Sequence, residues 1–149
     1  MATDVSGLSK EVLDGMSTNR PINNFQNRLA KSRENLINFL TKVKKEGKVI
    51  MGYGASTKGN VLLQFCNIDQ SLLPLIGDKN KSKSGRFTPG TSIPITSHEE
   101  VKKMNPNYLL VLPWHFRKSI IEIEKKYLRS GGTLVFPLPE LELYTIKTQ

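Results

Sequence analysis

From Pro21 onward, apolar residues return at helical intervals: Ile22, Phe25, Leu29, Leu36, Phe39, Leu40 and Val43. Polar and charged residues fill the intervening positions. This is the pattern of a long amphipathic helix, ended by Gly47. Pro21 is pre-set for a first helical turn, where its missing N–H costs nothing. Residues 1–20 lack this periodicity and contain Gly7, Gly15 and Asn19. They read as a tail or linker, with one weak helical turn near Leu8–Leu13. The folded domain is expected over residues 21–149.

Beyond Gly47 the pattern changes to short apolar runs separated by turn residues. KVIMGYG reads as a strand entering a glycine turn, and Ser56 or Thr57 caps a helix reaching Phe65 or Cys66. Leu72–Asp78 reads as a second strand, with Pro74 marking its start. A loop, KNKSKSGRFTPG, leads to a short strand at Ser92–Thr96. Ser97 followed by Glu100 has capping-box spacing and opens a short helix, HEEVKKM. Asn107–Trp114 is a continuous apolar run, as in a strand buried on both faces. Residues 115–129 read as one helix, with Phe116, Ile120, Ile123, Tyr127 and Leu128 near one side and Gly131–Gly132 ending it. TLVFPLP gives a fifth strand, and the terminal ELELYTIKTQ can add an edge strand.

Alternating strands and helices at this spacing predict an α/β fold with a parallel sheet covered on both faces. The expected form is a three-layer Rossmann-like domain. Its mostly parallel sheet has about five strands in the order 3-2-1-4-5, with right-handed crossovers, preceded by the long N-terminal helix.

Composition narrows the function. Cys66 is the single cysteine, so no intrachain disulfide and no cysteine-based zinc site can form. A reducing, cytoplasmic setting fits. The N-terminus has no signal-peptide pattern, and no apolar run approaches the roughly 20 residues that span a bilayer. The net charge of +9 favours anionic partners. Cations on predicted helices read as solvated faces, whereas Lys79, Lys81, Lys83 and Arg86 share a glycine-containing loop suited to binding. Only charge points to nucleic acid: aromatics make up 7% of the chain and no recognition motif is present, so nucleic acid is not the expected partner.

In an open parallel sheet, ligands sit beyond the strand carboxyl ends at the switch point. Order 3-2-1-4-5 puts that point between strands one and four. GYGASTKGN and PWHFRK then face each other, with GDKNKSKSGR alongside. Gly52 and Gly54 permit a tight turn, Ser56 and Thr57 offer hydroxyls, and Lys58 offers a charge to an anion at the helix start. Asp78 stands where dinucleotide folds place a ribose-binding acid, and equally where a turn-forming Asp would stand. Arg86 gives planar two-point recognition. His115 is the weak candidate for acid/base chemistry; no neighbouring pattern supplies its orienting partner, and no catalytic residue is otherwise assigned. His98 is expected to be exposed and Cys66 to be a buried small residue. Thr57 occupies the place of the third small residue of the dinucleotide fingerprint, and P-loop lysine spacing is absent. No metal-ligand spacing or nucleophile elbow is present.

Together GYGASTKGN, DKNKSKSGRFTPGTSIPI, LVLPWHFRKSI and GGTLVFPLPE resemble the C-terminal domain of SAM-dependent sugar C-methyltransferases. These enzymes methylate a carbon of nucleotide-linked deoxysugars. The resemblance covers nearly the whole chain, from about Leu8. It implies a substrate-side loop at Gly52, Tyr53, Gly54, Ala55, Ser56 and Lys58. A second motif falls at Asp78, Asn80, Lys83, Gly85, Arg86, Pro89 and Gly90, and a third at Pro113, Trp114, His115 and Arg117. It further implies a nucleotide-linked sugar as ligand, with zinc, SAM and the methyl-transfer acid/base groups on other domains. The expectation is therefore that this chain binds no cofactor itself and needs a SAM-binding methyltransferase domain or subunit for chemistry. The competing expectation is a stand-alone dinucleotide- or CoA-binding regulatory domain.

Overall fold

The computed structural model describes residues 20–147, with side chains from Gln26 onward; the tail reading for residues 1–20 lies almost wholly outside the described residues. The long helix is α1, Arg20–Lys45. Its Leu36, Leu40 and Val43, spaced four and three apart, are buried on one side. Burial stabilises each by roughly 1.5–3 kcal/mol. Gly47 follows at φ 71°, a left-handed stop that an L side chain strains to adopt.

Six strands follow: β1 Ile50–Tyr53, β2 Ile76–Asp78, β3 Ile95–Ser97, β4 Tyr108–Val111, β5 Thr133–Phe136 and β6 Glu142–Tyr144. Between them lie α2 Thr57–Phe65, α3 His98–Lys103, α4 Arg117–Ile123 and α5 Lys125–Arg129. The sheet order is β3-β2-β1-β4-β5-β6. All pairings are parallel except β5 with the edge strand β6. The expected order 3-2-1-4-5 is thus observed, extended by one antiparallel strand.

Strand alternation sends neighbouring residues to opposite faces. Ile50, Leu110, Leu112 and Val135 join α1 and α2 in one core. Met51, Tyr53, Leu109, Val111, Leu134 and Phe136 join Val101, Ile120 and Leu128 of α3, α4 and α5 in the other. This is the three-layer arrangement.

Several expected boundaries move. β2 begins at Ile76, two residues beyond Pro74, instead of at Leu72. β3 occupies Ile95–Ser97 instead of Ser92–Thr96, because Ser92 sits at φ 56° and Pro94 has no N–H to give the ladder. β4 ends at Val111. The expected single helix over residues 115–129 is a 3₁₀ turn, Trp114–Phe116, followed by α4 and α5 with a break at Glu124. Phe116 and Ile123, expected on the buried side, are 57% and 54% exposed.

Candidate functional site

The β1–α2 turn is built by three devices. Gly54 takes φ 81°, and a Cβ there would lie 3.0 Å from Pro113 Cδ at the end of β4, so the two loops touch. Ser56 caps α2, its Oγ accepting from Gly59 N–H at 3.0 Å. Asp78, at the end of β2, accepts from Ala55 N–H through Oδ2 and from Asn80 N–H through Oδ1, both at 2.7 Å. Asn80 in turn accepts from Ser82 N–H at 3.1 Å, capping a 3₁₀ turn over Lys81–Lys83. Lys83 Nζ donates to Ala55 C=O at 2.9 Å and lies 3.6 Å from Asp78 Oδ2. Asp78, Asn80 and Lys83 therefore tie the loop after β2 to the loop after β1.

The remaining cations of this edge are differently placed. Lys58, Lys79, Lys81 and Arg86 are exposed, and among the described residues none has a carboxylate partner. Their charge is available to an anion.

At the end of β4, Trp114 is half-buried and packs against both cores. His115 is exposed, 4.2 Å from the Phe116 ring centroid and 6.2 Å from that of Trp114. It has no carboxylate partner among the described residues. Arg117 turns away from the glycine loop. Its Nε and Nη2 donate to Glu142 Oε1 and Oε2 at 2.9 and 2.6 Å, and its guanidinium lies 5.4 Å from the rings of Phe136 and Tyr144. This bidentate pair holds β6 against α4 and keeps the Glu142 carboxyl below its usual range. The structure thus gathers Gly52 to Lys58 with Asp78, Asn80 and Lys83, sets Pro113 against Gly54, and leaves Arg117 serving the far edge.

Beside the glycine loop opens a cleft of about 280 Å³. Gly54, Gly77, Asp78 and Lys79 form one side, and Phe116, Ile120 and Ile123 another. Tyr53 and His98 also line it. His98, expected to be exposed, is buried; its ring meets that of Tyr53 edge-on at 4.7 Å. Beneath lies Glu124, 0% exposed. Glu124 Oε2 accepts from the Tyr53 hydroxyl at 3.0 Å and from His98 Nε2 at 3.1 Å, and Lys102 Nζ lies 2.5 Å from Oε1. Burial alone would raise the Glu124 pKa; contacts from His98, Lys102 and Tyr53 outweigh it and hold the carboxyl at about 2. Burial, with Glu124 adjacent, pushes the Tyr53 phenol well above its ordinary value.

Sequence reasoning passed over Glu124 because it sits in a charged run, EIEKK. One signal was present. Ile120, Glu124 and Leu128 are spaced four apart, so Glu124 falls on the stripe that buries its two neighbours. Among the described residues, no cluster of His, Cys, Asp and Glu could hold a metal ion, and no helix is long and apolar enough to cross a membrane.

Comparison with known proteins bears on this site. Residues 5–139 match the family described as C-methyltransferase C-terminal domain. The chain is 34% identical over 133 residues to the C-methyltransferase NovU of Streptomyces niveus, an alignment covering 89% of this chain and 32% of that protein. The chain therefore spans about a third of the length of this curated relative.

Proposed function

The chain belongs to the C-methyltransferase C-terminal domain family, and on that premise we propose that it supplies the nucleotide-sugar-binding wall of a SAM-dependent sugar C-methyltransferase. Methyl transfer then takes place against a methyltransferase domain carried by a parent or partner chain.

The observation that carries this reading is the pairing pattern at the β1–β2 edge. Asp78 and Lys83 are spent on shaping the loop, while Lys58 in the first turn of α2 and Lys79 and Arg86 in the loop after β2 keep free charge. An anionic group such as a diphosphate matches those cations and the positive end of the helix. S-adenosylmethionine supplies the methyl group when bound, and the reading assigns it to the other domain.

Isothermal titration with dTDP-, UDP- and GDP-linked sugars tests the proposal. Saturable binding to one of them is expected. Silence from all of them, with the chain alone and with a methyltransferase domain added, overturns it. A selective thermal shift with NAD, NADP or CoA instead would move the assignment to a regulatory cofactor-binding domain.

A further inference from the structure

A groove of about 900 Å³ runs between the first half of α1 and the segment that follows β5. Arg28, Leu29, Lys31, Ser32 and Asn35 line one side, and residues 138–142 line the other. It shares no lining residue with the cleft beside Gly54. The length of α1 accounts for it. With 26 residues the helix is about 39 Å long. Among its described side chains, full burial begins only at Leu36. Leu29, on the same stripe, is half-buried and lines the groove. The stripe that packs the second half of α1 on the sheet therefore runs on into the first half with less cover.

The floor of the groove is apolar. Leu138 and Leu141 are half-buried and pack against the core that α1 joins. Its α1 rim is cationic. Arg28 and Lys31 are exposed, and neither has a carboxylate partner among the described residues, since Glu142 is taken by Arg117. An apolar floor with a cationic rim suits an acidic amphipathic segment.

Such a segment precedes α1 in the sequence. Wound as a helix, residues 4–14 put Val5, Leu8 and Val12 on one side, with Leu13 at its margin. Asp4, Glu11 and Asp14 fall elsewhere and outnumber Lys10, so the segment is opposite in charge to the rim. A helix of this length is marginal in water and needs a surface to pack on. Gly15 supplies a stop, and residues 15–19 make an ordinary connection between antiparallel helices. With equal rise along both helices, folding back brings Leu8 level with Arg28 and Asp4 level with Lys31, beside the groove. The family match begins at residue 5, so nearly all of this segment lies within the matched unit.

We propose that the groove is the seat of the chain's own N-terminal segment: residues 4–14 fold back along α1, set Val5 and Leu8 against Leu29, Leu138 and Leu141, and bring Asp4 to Lys31. Docked in this way, the segment closes the apolar stripe of α1. It also sets the point at which any preceding domain of a parent chain is tethered, beside the start of β6 instead of at the tip of α1.

A spin label tests the placement. Ser6→Cys accepts a nitroxide under native conditions, where Cys66 is buried. In the intact chain the label should broaden the amide signals of Leu29, Ser32, Leu138 and Leu141. Signals of β3, at the far edge of the sheet, should stay sharp. Leu8→Glu should remove the broadening while sheet signals keep their positions, because Leu8 belongs to neither described core. Lys31→Glu should weaken the broadening, and adding Asp4→Lys should restore it. Uniform faint broadening across the chain, or broadening that survives Leu8→Glu, overturns the proposal. So does broadening seen when labelled chains are mixed with isotope-enriched unlabelled ones, which assigns the groove to a second copy. None of these outcomes depends on whether a nucleotide sugar binds.

Discussion

The Tyr53 hydroxyl donates to the buried carboxylate of Glu124 at 3.0 Å, joining positions 71 residues apart in sequence. Tyr53 ends β1 and Glu124 lies at the break between α4 and α5, so one hydrogen bond fixes the helix pair to the sheet beneath the cleft. His98 and Lys102 bring α3 into the same network.

Removing the carboxylate should therefore be costly. Glu124→Ala leaves the Tyr53 hydroxyl, His98 and Lys102 without their shared partner in a buried place. A loss of about 3–5 kcal/mol is expected from urea unfolding. Tyr53→Phe removes one donor and should cost about 1–2 kcal/mol. A Glu124→Ala loss below about 1 kcal/mol would show that the network contributes little.

Acid should act through the same group. The Glu124 carboxyl has its pKa lowered from 4.5 to about 2 in the folded protein. Its stabilising contribution is complete above the unfolded value and is lost as pH falls through the folded one. Integrated over that interval, the difference is on the order of 3 kcal/mol. Unfolding midpoints measured between pH 7 and pH 2 should fall mainly below pH 4.5, and Glu124→Gln should flatten that decline. Glu142, about half exposed, shifts in the same direction and should add little.

Cys66 should be chemically silent in the folded chain. It is buried, and burial pushes its thiol up to about 11. Ellman's reagent at pH 8 should react slowly with native protein and rapidly with one equivalent in denaturant. Fast native reaction would mean that α2 opens readily at its end.

Gly59 marks a close approach of α2 to β4. A Cβ there would lie 2.5 Å from Leu112 Cβ and 2.9 Å from the capping oxygen of Ser56. Gly59→Ala should destabilise by about 1–3 kcal/mol, despite the better helix propensity of alanine. Thermal denaturation gives the sign directly; a stabilised variant would contradict this packing.

Charge at the ligand rim should separate from stability. Lys58→Ala and Arg86→Ala remove exposed cations that have no carboxylate partner among the described residues. Each should leave the melting temperature nearly unchanged. Each should weaken diphosphate-containing ligands by about 1.5–3 kcal/mol where the contact is charge-assisted. Equal ligand affinity in both variants and the parent would place the anion elsewhere.

Much of the candidate site was legible at the level of local chain geometry. Ser97 caps its helix where the capping-box spacing predicted, and of the two candidates Ser56 and Thr57 it is Ser56 that caps α2. Gly54 takes the turn conformation that a strand-to-helix glycine suggests. Asp78 illustrates the limit. Sequence placed it at the end of a strand with two possible tasks, and only its partners, Ala55 and Asn80, show the loop-shaping one.

The sequence by itself determined the alternation of strands and helices, because hydrophobic periodicity is local, and that alternation made a parallel sheet the expected form. Tertiary structure alone decided that His98 is buried, that Arg117 braces β6, and that Glu124 lies at the centre of a polar network. Those outcomes depend on which side chains meet across the folded sheet, and a charge looks the same in sequence whether its partner is water or a tyrosine 71 residues away.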